Sequence, residues 1–132
     1  LVKFQLNAQE SERIEQAMAR IPEESERMVN DVLKSKGVKK AIESIVGFMP
    51  ISDRKKAHAK LSNPLKQNMI NLGFEITPKP RFGYLVFPND GIGRSNPVKQ
   101  QFFENGLEKV TDSILDDVVL ALEEASNKAL GN

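Results

Sequence analysis

A chain of 132 residues is long enough for one modest core and too short for two, so a single domain over residues 1–132 is expected. Its 39% hydrophobic and 28% charged residues are the balance of an ordinary globular protein. The lack of cysteine excludes a disulfide framework, a thiolate zinc site and a cysteine nucleophile. No apolar run approaches the ~18 residues of a membrane span, and no signal-peptide pattern opens the sequence.

The net charge of +1 hides opposed regions. Residues 10–31 carry seven acids against three bases, a net of −4. Residues 34–60 carry eight bases against two acids, or +6, and residues 104–124 seven acids against one base, or −6. Such segregation suits pairing with copies of the chain or with a complementary partner; it also arises from solvated helix faces.

In chain order, Val2, Phe4 and Leu6 alternate with Lys3 and Gln5, the period of a half-exposed strand. Asn7 is placed to cap a helix, with Glu10 three residues on. Ile14, Ala17, Met18 and Ile21 then line one helical face. Pro22 suits the first position of a second helix, whose stripe of Met28, Val29, Val32 and Leu33 runs to a break at Gly37. Ala41, Ile42, Ile45 and Val46 make a third helical segment.

Residues 50–68 are basic and without period, and are expected to form a flexible connector within the domain. Ile70, Leu72, Phe74 and Ile76 read as one buried face of a strand, and "FGYLVF" (82–87) as its hairpin partner. Asn96 and Pro97 suit the start of a final helix. There Phe103, Leu107, Val110, Ile114, Val118 and Leu122 recur every three or four residues, despite Gly106, which costs about 1 kcal/mol against Ala. Burying six such side chains is worth ~9–18 kcal/mol before the opposing entropy. The expected fold is α+β: a small antiparallel β-sheet, made of the N-terminal strand and a central hairpin, packed against N-terminal helices and one long C-terminal helix.

Little of this is chemistry. Gly91-Ile92-Gly93 follows an apolar run, as in a phosphate loop, but the chain continues Gly93-Arg94-Ser95-Asn96-Pro97. No Lys-Ser/Thr pair follows the last glycine, and Pro97 removes an amide, so a structural turn is expected. His58 is the only histidine and has no cysteine to share a metal with. Asp116-Asp117 and Glu123-Glu124 are neighbours on a helix, so the members of each pair point apart and form no paired-carboxylate site. The bases of residues 34–60 come without a helix-turn-helix, an RNP motif or a stacking platform. Neither a catalytic residue nor a cofactor site is expected.

At "NLGFEI" followed by "FGYLVFPNDGIGRSNPVKQQFFENGLEKVTDSILDDV" the sequence resembles the tail-completion, or head–tail joining, proteins (minor tail proteins) of long-tailed bacteriophages and prophages. The matching pieces are Leu72-Gly73-Phe74, Tyr84-Leu85-Val86-Phe87-Pro88, the Gly91/Gly93 loop, Asn96-Pro97, Gln101-Phe102-Phe103 and Gly106-Leu107, with His58-Ala59-Lys60 ahead of them. The resemblance covers roughly residues 57–122. It implies a structural virion protein at the head–tail junction, assembled in the bacterial host cytoplasm, without catalysis, cofactor or membrane. It implies a ring, of six subunits, between the head connector (stopper) protein and the major tail tube protein, with DNA passing through the lumen without specific binding. The candidate residues for the assembly interface are Arg54, Lys55, Lys56, His58, Lys60, Arg94, Asp116 and Asp117. The competing reading is a small nucleic-acid-binding or regulatory module using the basic region 34–60.

Overall fold

The computed structural model describes residues 1–7, 11–49, 63–85, 89–91 and 101–129. It is an α+β fold: a three-stranded antiparallel sheet, a run of N-terminal helices and one long C-terminal helix. Strand β1 (Val2–Gln5) is followed by α1 (Glu12–Ala19), α2 (Ser25–Val32), a π-helical turn (Leu33–Gly37) and α3 (Val38–Phe48). Strands β2 (Leu65–Ile70) and β3 (Gly73–Pro78) form a hairpin, two 3₁₀ turns (Pro80–Leu85) meet at a kink, and α4 (Phe102–Ala129) ends the described chain.

The sheet has the order β1-β3-β2. Phe4 lies opposite Phe74 and stacks on it at 5.2 Å between ring centres, which fixes the register of β1 on the buried face. Phe74 and Ile76 are fully buried on that face. Strand β3 packs on the π-helical turn and α3, while β1 meets α4; a Cβ at Gly37 would stand 3.2 Å from the Phe74 ring and 3.5 Å from Ile114. Helix α4 packs chiefly along α3, and also touches α1, α2, the π turn and β1. Its residues Phe102, Phe103, Leu107, Ile114, Val118, Val119 and Leu122 are buried.

Several local expectations are corrected. The first helix is capped by Ser11, whose Oγ accepts from Ile14 N–H at 3.4 Å, rather than by Asn7. Pro22 lies in the turn before α2, where Ser25 N–H bonds the Ile21 carbonyl. Gly37 does not break the helix: the chain stays helical from Ser25 to Phe48, absorbing one wide turn at 33–37. There Ser35 Oγ donates to the Asp31 carbonyl at 2.9 Å, supplying a donor where the ladder shifts.

The hairpin is real but lies upstream of its expected place. Its strands are 65–70 and 73–78, with Asn71 and Leu72 as the two-residue turn. The predicted partner strand, 82–87, is instead 3₁₀ as far as Leu85, and residues 86 and 87 lie outside the described residues. Its apolar side chains Phe82 and Leu85 are buried without belonging to a sheet. Of the connector expected over 50–68, residues 65–68 are strand and residues 50–62 lie outside the described residues. The helix start expected at Asn96 and Pro97 also lies outside them; α4 is helical from Phe102.

Candidate functional site

Of the eight charged candidates, Arg54, Lys55, Lys56, His58, Lys60 and Arg94 lie outside the described residues. Asp116 and Asp117 lie next to each other on α4 and turn about 100° apart around its axis. Asp116 points outward and meets Arg13 of α1 at 3.4 Å, with both side chains about two-thirds exposed. A pair so wetted contributes about 0–1 kcal/mol.

Asp117 points toward α3. Lys40 Nζ stands 2.5 Å from its Oδ2, and the same ammonium donates to Ser113 Oγ at 2.6 Å. Ser113 and Asp117 are four residues apart, one above the other, so one lysine ties α3 to two turns of α4. Oδ2 of Asp117 is buried and the contact is ionic, without hydrogen-bond angles. The sequence offers Asp117 as an interface residue beside Asp116, whereas its side chain is only 18% exposed. The missing signal was Lys40, one of four lysines whose spacing does not tell which one turns inward.

The outward face of α4 carries Glu104, Glu108, Asp112, Asp116 and Glu124, all exposed, together with exposed Leu120. Lys34, Lys36 and Lys39 are exposed on and beside the π turn. These acids of α4 and the three described lysines Lys34, Lys36 and Lys39 therefore stand at the surface. They lie on elements that pack side by side.

Two open grooves accompany them. One, of about 410 Å³, runs between α2 with the π turn (Asn30, Asp31, Lys34) and the hairpin tip (Met69, Ile70, Asn71). The other, of about 270 Å³, is lined by Glu43, Ser44, Gly47, Phe48 and Lys109, with the lysine ammonium 5.6 Å from the Phe48 ring centre. The wall of the first groove is braced by Asn30. Its Oδ1 accepts from Leu72 N–H at 2.7 Å, and its Nδ2 donates to Asn71 Oδ1 at 3.0 Å. That bracing holds Leu72 at φ 56°, a conformation a bulky side chain seldom adopts.

A second polar knot, buried, starts α4. Asn89 Oδ1 accepts from Phe103 N–H at 3.0 Å, and its carbonyl accepts from Gln101 N–H at 2.9 Å. Its Nδ2 donates to Asp90 and Glu104 carboxylates at 2.9 and 3.2 Å. Asn89 thus does from a distance what an N-cap does locally. Sequence reasoning misses it because cap patterns are sought next to the helix, not thirteen residues before its first residue, Phe102.

Among the described residues no three His, Asp or Glu side chains converge as metal ligands, and no helix is long and apolar enough to cross a membrane. The chain matches no family model, no curated protein and no solved structure.

Proposed function

We propose that the protein is a structural virion component that completes a phage tail and joins it to the head connector, as a ring of six around the DNA channel. The observation that carries this reading is the ordered set of motifs over residues 57–122, from Leu72-Gly73-Phe74 to Gly106-Leu107. The roles of the described motif residues support it, because they are architectural. Leu72 makes the hairpin turn and Phe74 fills the sheet face. Phe102 and Phe103 are buried at the start of α4, and Gly106 admits the backbone of Ile45. A motif built of packing residues suits a protein whose work is shape and surface. The acidic face of α4 and the exposed lysines of the π turn supply surfaces of opposite sign for ring neighbours.

In this reading the protein has no catalytic residue and takes no cofactor. Its partners are its own copies, the head connector and the major tail tube protein, and DNA passes through without specific contacts. It works in the virion at the head–tail junction and assembles in the bacterial cytoplasm. Electron microscopy of lysates from a phage lacking the gene tests this. Filled heads and separate tails, joined on adding purified protein, are expected; normal virions from the deletion phage would overturn the reading. A nucleic-acid module is the second reading, favoured by the exposure of Lys34, Lys36 and Lys39 together.

A further inference from the structure

Strand β2 is an edge. Among the described residues it pairs with β3 alone, and its Lys66, Gln67 and Asn68 are exposed. The ladder fixes which of its backbone groups face outward. Lys79 N–H donates to the Pro64 carbonyl at 2.7 Å, directly beyond the Leu65–Pro78 pair. Because bonded and non-bonded pairs alternate in an antiparallel ladder, Lys66, Asn68 and Ile70 bond toward β3. The N–H and C=O of Leu65, Gln67 and Met69 then point away from it.

The other side of the sheet sets the same phase independently. Leu6 N–H donates to the Leu72 carbonyl at 2.8 Å, which turns the even-numbered groups of β3 toward β1 and the odd-numbered ones toward β2. Leu65 is buried, so the outward groups on the exposed part of the edge are those of Gln67 and Met69. They stand symmetrically on either side of Asn68.

We infer that this edge pairs with β2 of a second copy, antiparallel, about a two-fold axis through Asn68. In that register Gln67 of each copy lies opposite Met69 of the other, and each such pair exchanges two backbone hydrogen bonds. Asn68 meets Asn68 at the closer, non-bonded position, where two carboxamides can bond each other. Lys66 falls opposite Ile70, so no like charges face one another, the usual obstacle to edge-to-edge pairing. Centring the axis on Gln67 instead would call on the outward groups of buried Leu65. A single-strand contact buries less than the ~1,200 Å² of a stable interface, so the dimer is weak and concentration-dependent. A two-fold contact closes on itself. It is therefore a state of the free protein, distinct from a ring built by rotation, and it stands or falls apart from the joining role.

Sedimentation velocity of the full chain, from micromolar to near-millimolar concentration, tests the pairing. Wild type is expected to dimerise as concentration rises. Gln67→Pro removes an outward N–H and no bond to β3, so it should abolish dimerisation and leave the melting curve cooperative. Asn68→Lys and Asn68→Glu should each weaken self-association by up to about fivefold, since like charges then meet across the axis. Mixing the two should restore association above either alone. Glu75 lies opposite Asn68 within the chain, so melting curves of both variants separate folding from association. A wild type monomeric at the highest concentration, or charged variants that associate singly as well as mixed, would overturn the inference.

Discussion

Gly106 faces Ile45 across the α3–α4 contact, where a Cβ would stand 2.5 Å from the Ile45 Cα and 2.8 Å from its amide nitrogen. Backbone cannot give way as the end of a side chain can, so the two helices meet here only because one residue has no side chain. The Gly106 carbonyl also accepts from Ser44 Oγ at 2.7 Å, which fastens the same crossing. Helix propensity alone favours Ala at this position by about 1 kcal/mol. Overpacking costs about 1–3 kcal/mol and works against it. Gly106→Ala is therefore expected to lower the melting temperature by several degrees; a rise would show that the helices part freely. Asn89 is the polar counterpart. Asn89→Ala leaves the Phe103 amide without its acceptor at a site only 2% exposed, at a cost of about 1–3 kcal/mol read from urea unfolding. Asn89→Asp keeps the acceptor but sets a third carboxylate beside Asp90 and Glu104, so it should recover only part of the loss.

At the scale of elements, the α2–α3 rod and the hairpin show what pattern reading captures. The apolar stripes of α1, α3 and α4 were legible because each buries one face against a neighbour, which is what a period near 3.6 records. The hairpin lies upstream of where its alternation points, for a physical reason. Leu72 fits the alternation of Leu72, Phe74 and Ile76, yet it occupies the turn, held there by Asn30 from α2, and no local pattern reports a contact 42 residues away. Strand β2 looked like a connector because an edge strand with exposed Lys66, Gln67 and Asn68 has no apolar face to alternate. The π turn looks like a helix end in the sequence because Gly37 is a poor helix former, but its lack of a Cβ lets Phe74 and Leu33 approach. A wide turn amounts to one residue more than an α-helix needs. Deleting exposed Ser35 should therefore convert 33–37 to regular helix and keep α2 and α3 in their faces. Deleting exposed Lys39, inside α3, should rotate the following stripe of Ala41 and Ile45 out of the core. Circular dichroism melts should show a cooperative transition for the first deletion and its loss for the second. Equal damage from both would mean that the wide turn stores no spare residue.

At the scale of the molecule, the described residues pair some charges and leave others of both signs at the surface. Lys40 is drawn inward to Asp117 and Ser113, while Lys34, Lys36 and Lys39 stay exposed opposite in sign to the outward acids of α4. A surface with both signs suits neighbours that are copies of the chain, since each can offer what the other lacks. A DNA-binding surface would be expected to keep acids away from its bases, because phosphate repels them. Titrating duplex DNA at several salt concentrations separates the two cases. A patch making four or more phosphate contacts gives a log–log slope of roughly −3.6 or steeper, whereas a joining protein should bind little near physiological salt. Replacing Lys34, Lys36 and Lys39 by Glu sharpens the comparison. In the joining role the variant should melt like wild type, show the same negligible DNA binding, and fail to join heads to tails when added to a deletion-phage lysate. In the nucleic-acid role wild type should bind tightly with the steep slope, and the variant should lose that binding. Sub-micromolar wild-type affinity removed by the three substitutions, with head–tail joining untouched, would sink the assembly role of this surface.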